Sequence, residues 1–362
     1  MKIALVHDYL NQMGGAEKVV LEFHDIYGDA PLYTSIYDKQ KMPAEFVKLD
    51  IRTSFMQKLP WVFKYFKLYL LVYPFAFRSF NLSAFDVVLS STTAFAKGVR
   101  KRKDAKHFCY CNTPARFIWM FEHYTQRERY PAFLKALLRM ITIPLCWWDL
   151  RAARDVDFFI ANSKNVADRI KKIYKRDSVI IYPPVDTKKY LPIKDVKPYF
   201  LVVSRLNTYK RIDIVIEAFN ELGISLKIIG DGPDRLNLEK LAKDNIEFLG
   251  RLGDKEIPQY FAGCQAFILP GEEDFGITPL EAMSCGRPVL AYGKGGALET
   301  VVDGKTGVMF HEQSKEAIIH AVKKLAGLNL DGAQIRAQAE KFDVTVFRAK
   351  IKEFLENKCQ KK

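Results

Sequence analysis

Residues 266–291 read Ala266-Phe267-Ile268-Leu269, then Pro270-Gly271-Glu272-Glu273-Asp274-Phe275-Gly276-Ile277, then Thr278-Pro279-Leu280-Glu281-Ala282-Met283-Ser284-Cys285-Gly286-Arg287, and finally Pro288-Val289-Leu290-Ala291. A short apolar run bounded by turn residues reads as a buried strand. The stretch is therefore strand, loop, helix from about Thr278, and strand again. Glu273 falls at the carboxyl end of the first strand, just before the helix. Gly276 lets backbone approach a ligand closely. The amides around Phe275 to Thr278 can donate to oxygen atoms, helped by the helix dipole. Glu281 sits one turn in, where a carboxylate can bind a diol. The plainer alternative is a capped helix with two solvated acids.

Outward from this unit the alternation continues. Phe200–Val203, Leu226–Ile229 and Ile246–Leu249 read as strands, and Arg211–Leu222 as a helix. The second of these strands ends in Gly230-Asp231-Gly232-Pro233. In the first half, Ile3–Val6 is a strand, Asn11–Glu17 a glycine loop, and a helix starts at Lys18. Further strands are expected at Asp86–Ser90, His107–Tyr110, Phe158–Ala161 and Val179–Tyr182, with a helix over Asn165–Lys175. Pro183-Pro184 stops the last strand. Apolar runs alternating with helices imply parallel sheets covered on both faces. The chain is thus α/β, with two Rossmann-like doubly wound domains facing across a cleft. The expected divisions are 1–194 and 195–342, followed by a C-terminal segment, 343–362, that packs back on the first domain as a helix. Ligands of such sheets bind beyond the carboxyl ends of the strands.

The 362 residues are 49% hydrophobic and 27% charged, which excludes a disordered or fibrous chain. The net charge of +14 is confined to one half. Residues 1–194 hold 32 basic and 18 acidic side chains, whereas 195–362 hold 24 of each. Residues 51–148 alone have 16 basic against 4 acidic. Such a half attracts something anionic, whether a phospholipid surface, a nucleic acid or a phosphorylated substrate, or else it serves solubility. The six cysteines lack framework spacing and read as reduced thiols of a cytoplasmic protein. No C-x-x-C or H-E-x-x-H motif occurs, so no zinc site is expected. The opening apolar run is too short for a signal peptide.

Trp61–Phe80 reads WVFKYFKLYLLVYPFAFRSF. Lys64, Lys67, Pro74 and Arg78 interrupt it well before the ~20 residues that a spanning helix needs. It suits an interfacial segment on anionic lipid or, equally, a buried helix pair.

Glu-x7-Glu within EEDFGITPLEAMSCGRPVLA closely resembles the donor-site motif of retaining glycosyltransferase family 4, of the GT-B fold. LVVSRLNTYKRIDIVIEAF (201–219), IIGDGP (228–233), IEFLGRL (246–252) and GGALETVVDGKTGVMF (295–310) resemble further family segments, as do FIANSKNVADRI, VIIYPPVD and HDYLNQMGGAEKVV in the first half. The resemblance covers most of residues 1–310 in the expected order.

The resemblance implies a retaining hexosyltransferase. Arg205 and Lys210 would bind the donor diphosphate, as a donor fork and a compact charge respectively. Glu281 would hold the ribose hydroxyls. Glu273 would hold hydroxyls of the transferred sugar, with amides near Phe275, Gly276 and Ile277 assisting. Gly14 and Gly15 would let the first loop approach the phosphate or reacting centre. Arg251 and Leu252 would line the base pocket. Glu299 either joins the cleft or is only a helix-start acid. In relatives of this subgroup a histidine precedes Thr-Pro-x-Arg, but here the segment is Cys111-Asn112-Thr113-Pro114-Ala115-Arg116. Asn112 can orient a sugar but cannot carry a proton at neutral pH. His123 either compensates or is structural, and Arg116 is a candidate for an acceptor phosphate.

Arg205, Lys210 and amide dipoles would stabilise the leaving diphosphate. The resemblance implies metal independence and no cofactor, the nucleotide sugar being a co-substrate. The closest likeness is to mannosyltransferase-type members of surface-polysaccharide and lipopolysaccharide pathways, so GDP-mannose is the first expected donor and a UDP-sugar the alternative. The acceptor would be lipid-diphosphate-linked or another glycan, met at the inner face of the cytoplasmic membrane by a peripheral enzyme. A nicotinamide oxidoreductase is excluded, because neither glycine loop gives G-x-G-x-x-G after its strand. No nucleic-acid recognition motif is present. The rival of another class is a catalytically impaired nucleotide- or membrane-binding protein, on account of Asn112.

Overall fold

The computed structural model describes residues 1–121 and 132–360. The chain forms two units, Met1–Pro183 with Phe347–Lys362, and Pro184–Val346. The first is built on a seven-stranded parallel sheet of order β3-β2-β1-β4-β5-β6-β7. Its strands are β1 (Ile3–His7), β2 (Leu32–Thr34), β3 (Ile51–Thr53), β4 (Val87–Thr92), β5 (Lys106–Cys111), β6 (Phe158–Ala161) and β7 (Ser178–Ile180). The second unit has a six-stranded parallel sheet, β10-β9-β8-β11-β12-β13. These strands are β8 (Tyr199–Val203), β9 (Ser225–Ile229), β10 (Ile246–Gly250), β11 (Ala266–Leu269), β12 (Val289–Tyr292) and β13 (Gly307–Phe310).

In each sheet the strand order reverses beside the first strand of the unit, between β1 and β4 and between β8 and β11. A crevice at the carboxyl ends forms at such a reversal. The alternation along β1 explains how both faces of the first sheet are covered. Ile3 and Leu5 pack with Val19, Phe23, Phe108 and Tyr110 on one face. Ala4 and Val6 point the other way, into a cluster with Val62, Tyr73, Phe77 and Leu145. Successive strand side chains face opposite sides, so the continuous apolar run needs two cores. The second unit has the same logic, with Phe219, Ile216 and Val322 against Phe200, Leu226 and Ile268.

The helix after the first loop starts at Gly15 rather than Lys18 and runs to Ile26. Three strands escaped the sequence reading, β2, β3 and β13, each of three or four residues. The division between units falls at Pro183 and Pro184 rather than after residue 194. Val185 explains this, because it pairs with Asp343: the Val185 amide donates to Phe342 O at 3.1 Å, and the Val344 amide to Val185 O at 3.0 Å. Tyr190 then packs edge-on against Phe261 at 5.6 Å.

A helix over Val344–Gln360 closes the described chain. From Phe347 on it belongs to the first unit. Phe347 stacks on Phe23 at 5.9 Å, Phe354 meets Phe108 edge-on at 5.8 Å, and Arg348 pairs with Glu22 and Asp25. Residues 61–80 form short turns, a helix over Val62–Tyr65 and another over Tyr73–Arg78. They are neither wholly buried nor wholly superficial. Val62, Tyr73 and Phe77 enter the core, while Trp61, Leu68 and Phe75 are exposed. No helix among the described residues is long and apolar enough to cross a membrane.

Candidate functional site

In the second unit, the chain leaving β8 carries Arg205, exposed, and then the single turn Thr208–Lys210. The glycine loop after β9 shapes this segment. A Cβ on Gly230 would stand 1.8 Å from Ser204 O, so only glycine allows that loop to lie against residues 204–206. The Leu206 amide donates to Asp231 O at 3.0 Å and the Asp234 amide to Leu206 O at 3.1 Å, which fixes the backbone next to Arg205.

Across the strand reversal, the chain leaving β11 carries Glu273. The Lys210 ammonium donates to Glu273 Oε1 in a close ion pair, both side chains being largely screened from solvent. Lys210 Nζ also lies 5.1 Å from the centre of the Tyr209 ring. The Glu273 backbone is held from below, since the Gly296 amide donates to Glu273 O at 2.9 Å. A Cβ on Gly296 would meet Phe275 O at 2.2 Å. The glycine pair 295–296 thus seats the whole loop 273–275, a role not read from the sequence although the doublet is its visible signal.

Gly276, at φ +86°, turns the chain into the helix Ile277–Ser284. Phe275 is buried and its ring lies 5.7 Å from that of Phe342. Ile277 opens the helix with its amide at the helix N-terminus, where partial positive charge gathers. Glu281 is buried at 4% exposure and accepts a hydrogen bond from the Tyr190 hydroxyl. Burial and the Glu281 charge both push the Tyr190 hydroxyl pKa up, so Tyr190 stays a donor. Arg251 and Leu252 follow β10, at the sheet's edge and on the same carboxyl rim. Glu299 lies in the short helix Ala297–Thr300.

In the first unit the carboxyl ends of β1, β4 and β5 gather a second group. Gly14 caps the helix Gly15–Ile26, whose first turn carries the buried Glu17. Glu17 Oε1 lies 3.4 Å from His7 Nε2, and His7 Nδ1 lies 3.1 Å from Ser91 O. Burial alone would lower the His7 pKa, but the Glu17 hydrogen bond and charge, with Asp8 and Ser91, raise it on balance. A ring with acceptors on both nitrogens suits the imidazolium. Asp8 accepts four backbone amides, those of Thr93 (2.6 Å), Ala94 (3.0 Å), Phe95 (2.8 Å) and Ala96 (2.6 Å). It thereby shapes the loop after β4.

Asn112 follows β5 and donates from Nδ2 to Ser91 Oγ at 3.0 Å. Ser91 therefore joins His7, through its carbonyl, to Asn112, through its hydroxyl. Arg116 starts the short helix Arg116–Trp119, half-buried. His123 lies outside the described residues. His7, Asp8 and Glu17 were missed from the sequence, though the His-Asp pair closing the first strand and the acid after the glycine loop mark them. Among the described residues no group of three or more His, Cys, Asp or Glu side chains is placed to hold a metal ion.

Comparison with known proteins sets these two groups in context. Residues 13–189 match the family described as Glycosyltransferase Family 4, and residues 186–342 match Glycosyl transferases group 1. The GDP-mannose-dependent alpha-(1-6)-phosphatidylinositol monomannoside mannosyltransferase of Mycolicibacterium smegmatis is 30% identical over 207 residues, 48% of this chain and 54% of that protein. An uncharacterized glycosyltransferase of Methanocaldococcus jannaschii is 29% identical over 47% of this chain and 51% of its own. The chain thus spans about half the length of these two curated relatives. The alpha-1,3/1,6-mannosyltransferase ALG2 of Mus musculus is 24% identical over 95% of this chain and 93% of that protein. Among solved structures, Anabaena Alr3699/HepE in complex with UDP-glucose has a TM-score of 0.73 at 20% identity, covering 99% of this chain and 100% of that one. Sucrose-phosphate synthase of Thermosynechococcus elongatus has a TM-score of 0.76 at 15% identity, covering 99% of each. These two likenesses speak for the fold.

Proposed function

Because the chain belongs, over residues 13–342, to the GT-B glycosyltransferases of group 1 and family 4, we propose that it moves a hexose, with retention, from a nucleotide sugar to a lipid-linked or glycan acceptor of surface-polysaccharide or lipopolysaccharide synthesis. Mannose from GDP-mannose is the first donor, a choice supported by the GDP-mannose-dependent activity named for the mycolicibacterial relative and the mannosyltransferase activity named for ALG2. The observation that carries the reading is the Lys210–Glu273 pair at the strand reversal of the second unit, with Arg205 on the same rim.

Lys210 and Arg205 give the leaving diphosphate two cations, which is the charge a divalent ion would otherwise supply. The proposal is therefore of metal-independent transfer without a cofactor. Glu273 receives the sugar hydroxyls once a diphosphate draws Lys210 away. Glu281 takes the ribose hydroxyls, with Tyr190 orienting its carboxylate. Gly14 and Gly15 let the first loop approach the phosphate or the reacting centre, Asn112 orients the sugar, and Arg116 takes an acceptor phosphate. The acceptor is borne on the inner face of the cytoplasmic membrane, where the basic first half meets anionic lipid.

The deciding experiment measures thermal stabilisation by GDP, UDP, ADP and CMP, with Lys210→Ala as control. A ligand at 100 times its dissociation constant adds roughly 2.7 kcal/mol, so the right base stands out. GDP alone, with loss in the variant, is the expected result. UDP alone would replace mannose by a UDP-sugar. No shift with any nucleotide would overturn the donor reading and favour an impaired protein.

A further inference from the structure

The helix Ala132–Arg154 of the first unit presents a row of large apolar side chains to solvent. Phe133 is 74% exposed, Leu137 51%, Met140 68%, Ile143 55% and Trp147 74%. Spaced by three or four residues, they lie along a single face of the helix. The opposite face is anchored. Leu145 and Ala152 are buried, and Asp149, fully buried, pairs with Lys97 Nζ at 2.5 Å. Asp149 also accepts from Trp119 Nε1 and from the Tyr174 hydroxyl, each at 2.7 Å. The helix is thus locked in rotation, with its apolar row outward. Scattered exposed apolar residues need no explanation, but a continuous stripe does.

We propose that this stripe seats the chain in the plane of an anionic lipid surface, a step that deepens the membrane partner of the function above and rests on that reading. Three observations select lipid. The helix is about 35 Å long at 1.5 Å per residue, yet it is not apolar enough to span a membrane. Its only acidic residue, Asp149, is consumed internally, so the exposed charges of the helix, including Arg139, Arg151 and Arg154, are all basic. The exposed Trp61, Leu68 and Phe75, beside Lys64 and Lys67, come from a segment packed on the same face of the same sheet, through the cluster that also holds Leu145. Large apolar side chains flanked by cations match the interface of an anionic bilayer. A second copy would set like charges against each other. Nucleic acid would leave Leu137, Met140 and Ile143 without a purpose.

The test uses the full chain and vesicles of mixed phosphatidylglycerol and phosphatidylcholine, or of phosphatidylcholine alone, in flotation assays. The wild type is expected to float with the anionic vesicles, and Met140→Glu combined with Trp147→Glu to reduce that binding by about tenfold or more. The variant's unchanged thermal midpoint would show that the fold persists. Added salt should weaken the binding without abolishing it, since inserted apolar groups are not screened. Brominated acyl chains should quench tryptophan emission in the wild type and markedly less in Trp147→Phe, which still floats. Flotation unaffected by the double substitution, binding lost wholly to salt, self-association reversed by the same substitution, or binding to duplex DNA in place of vesicles would each overturn the proposal. Nucleotide-induced stabilisation is measured in parallel. Nucleotide binding without flotation sinks the stripe alone, and flotation without nucleotide binding sinks the donor reading alone.

Discussion

Lys210 and Glu273, 63 residues apart in the chain, meet as an ion pair where the strand order of the second sheet reverses. Each neutralises the other in this arrangement. On the proposed roles, a diphosphate that captured Lys210 would uncover the Glu273 carboxylate at the same moment, and one contact would couple donor binding to readiness of the sugar-binding acid.

That coupling separates two substitutions. Lys210→Ala removes a charge-assisted donor worth about 1.5–3 kcal/mol, so nucleoside diphosphate affinity should fall roughly 10- to 150-fold. Glu273→Gln leaves Lys210 its full charge, so nucleoside diphosphate binding should be kept or tightened while sugar transfer is lost. Calorimetric titration with the nucleotide and a transfer assay on the same samples check both.

Gly296 should tolerate no side chain. In Gly296→Ala the new methyl meets Phe275 backbone at 2.2 Å, and the loop that carries Glu273 must move. The expected cost is about 1–3 kcal/mol of stability, together with loss of nucleotide-induced stabilisation. A denaturant titration with and without nucleotide reads the two effects apart.

Asp8 gathers four backbone amides of the loop after β4. Asp8→Ala leaves them without their acceptor in a buried place. Each stranded donor costs about 1–3 kcal/mol. Even with relaxation, the loss of stability should exceed about 3 kcal/mol, among the largest from any single substitution in the first unit. Urea unfolding measures it.

Two buried histidines of the first sheet respond to pH in opposite directions. Burial lowers the His107 pKa to about 4 from 6.5. The neutral ring is hydrogen-bonded to the Ser90 hydroxyl at 2.8 Å. A depressed folded value means that stability is intact above pH 6.5 and is lost as pH falls toward 4, by about 3 kcal/mol at 1.36 kcal/mol per pH unit. His7 has a raised value despite its burial, because Glu17 faces it. Its contribution is full below pH 6.5 and disappears as pH rises through the folded value. In thermal melts over pH, His107→Gln should flatten the acid limb and His7→Gln the limb above 6.5.

The longer strands, and the two segments whose Lys210 and Glu273 meet in the second unit, could be read because their signals are local. Ile3–Val6 and Ala266–Leu269 are buried on both faces and so are apolar throughout. Lys210 and Glu273 stand inside recognisable motifs. β2 and β3 could not be read the same way, since Leu32–Thr34 and Ile51–Thr53 are too short to show a period. His7 and Asp8 were hidden for a different reason. Their partners include Ser91 and residues 93–96, more than eighty positions along the chain, and only the pairing of β1 with β4 brings them together.

The return of the helix Val344–Gln360 to the first unit also sets an order on synthesis. Translation delivers β1 to β7 early, but the face bearing Phe23, Phe108 and Tyr110 is closed by Phe347 and Phe354, which follow the whole of Pro184–Val346. At about 5–20 residues per second that face waits roughly 10–30 s on the ribosome without the cover of Phe347 and Phe354. The second unit is contiguous and needs nothing made later. The domain begun first is therefore completed last, and the interval between is when the nascent chain most needs a chaperone.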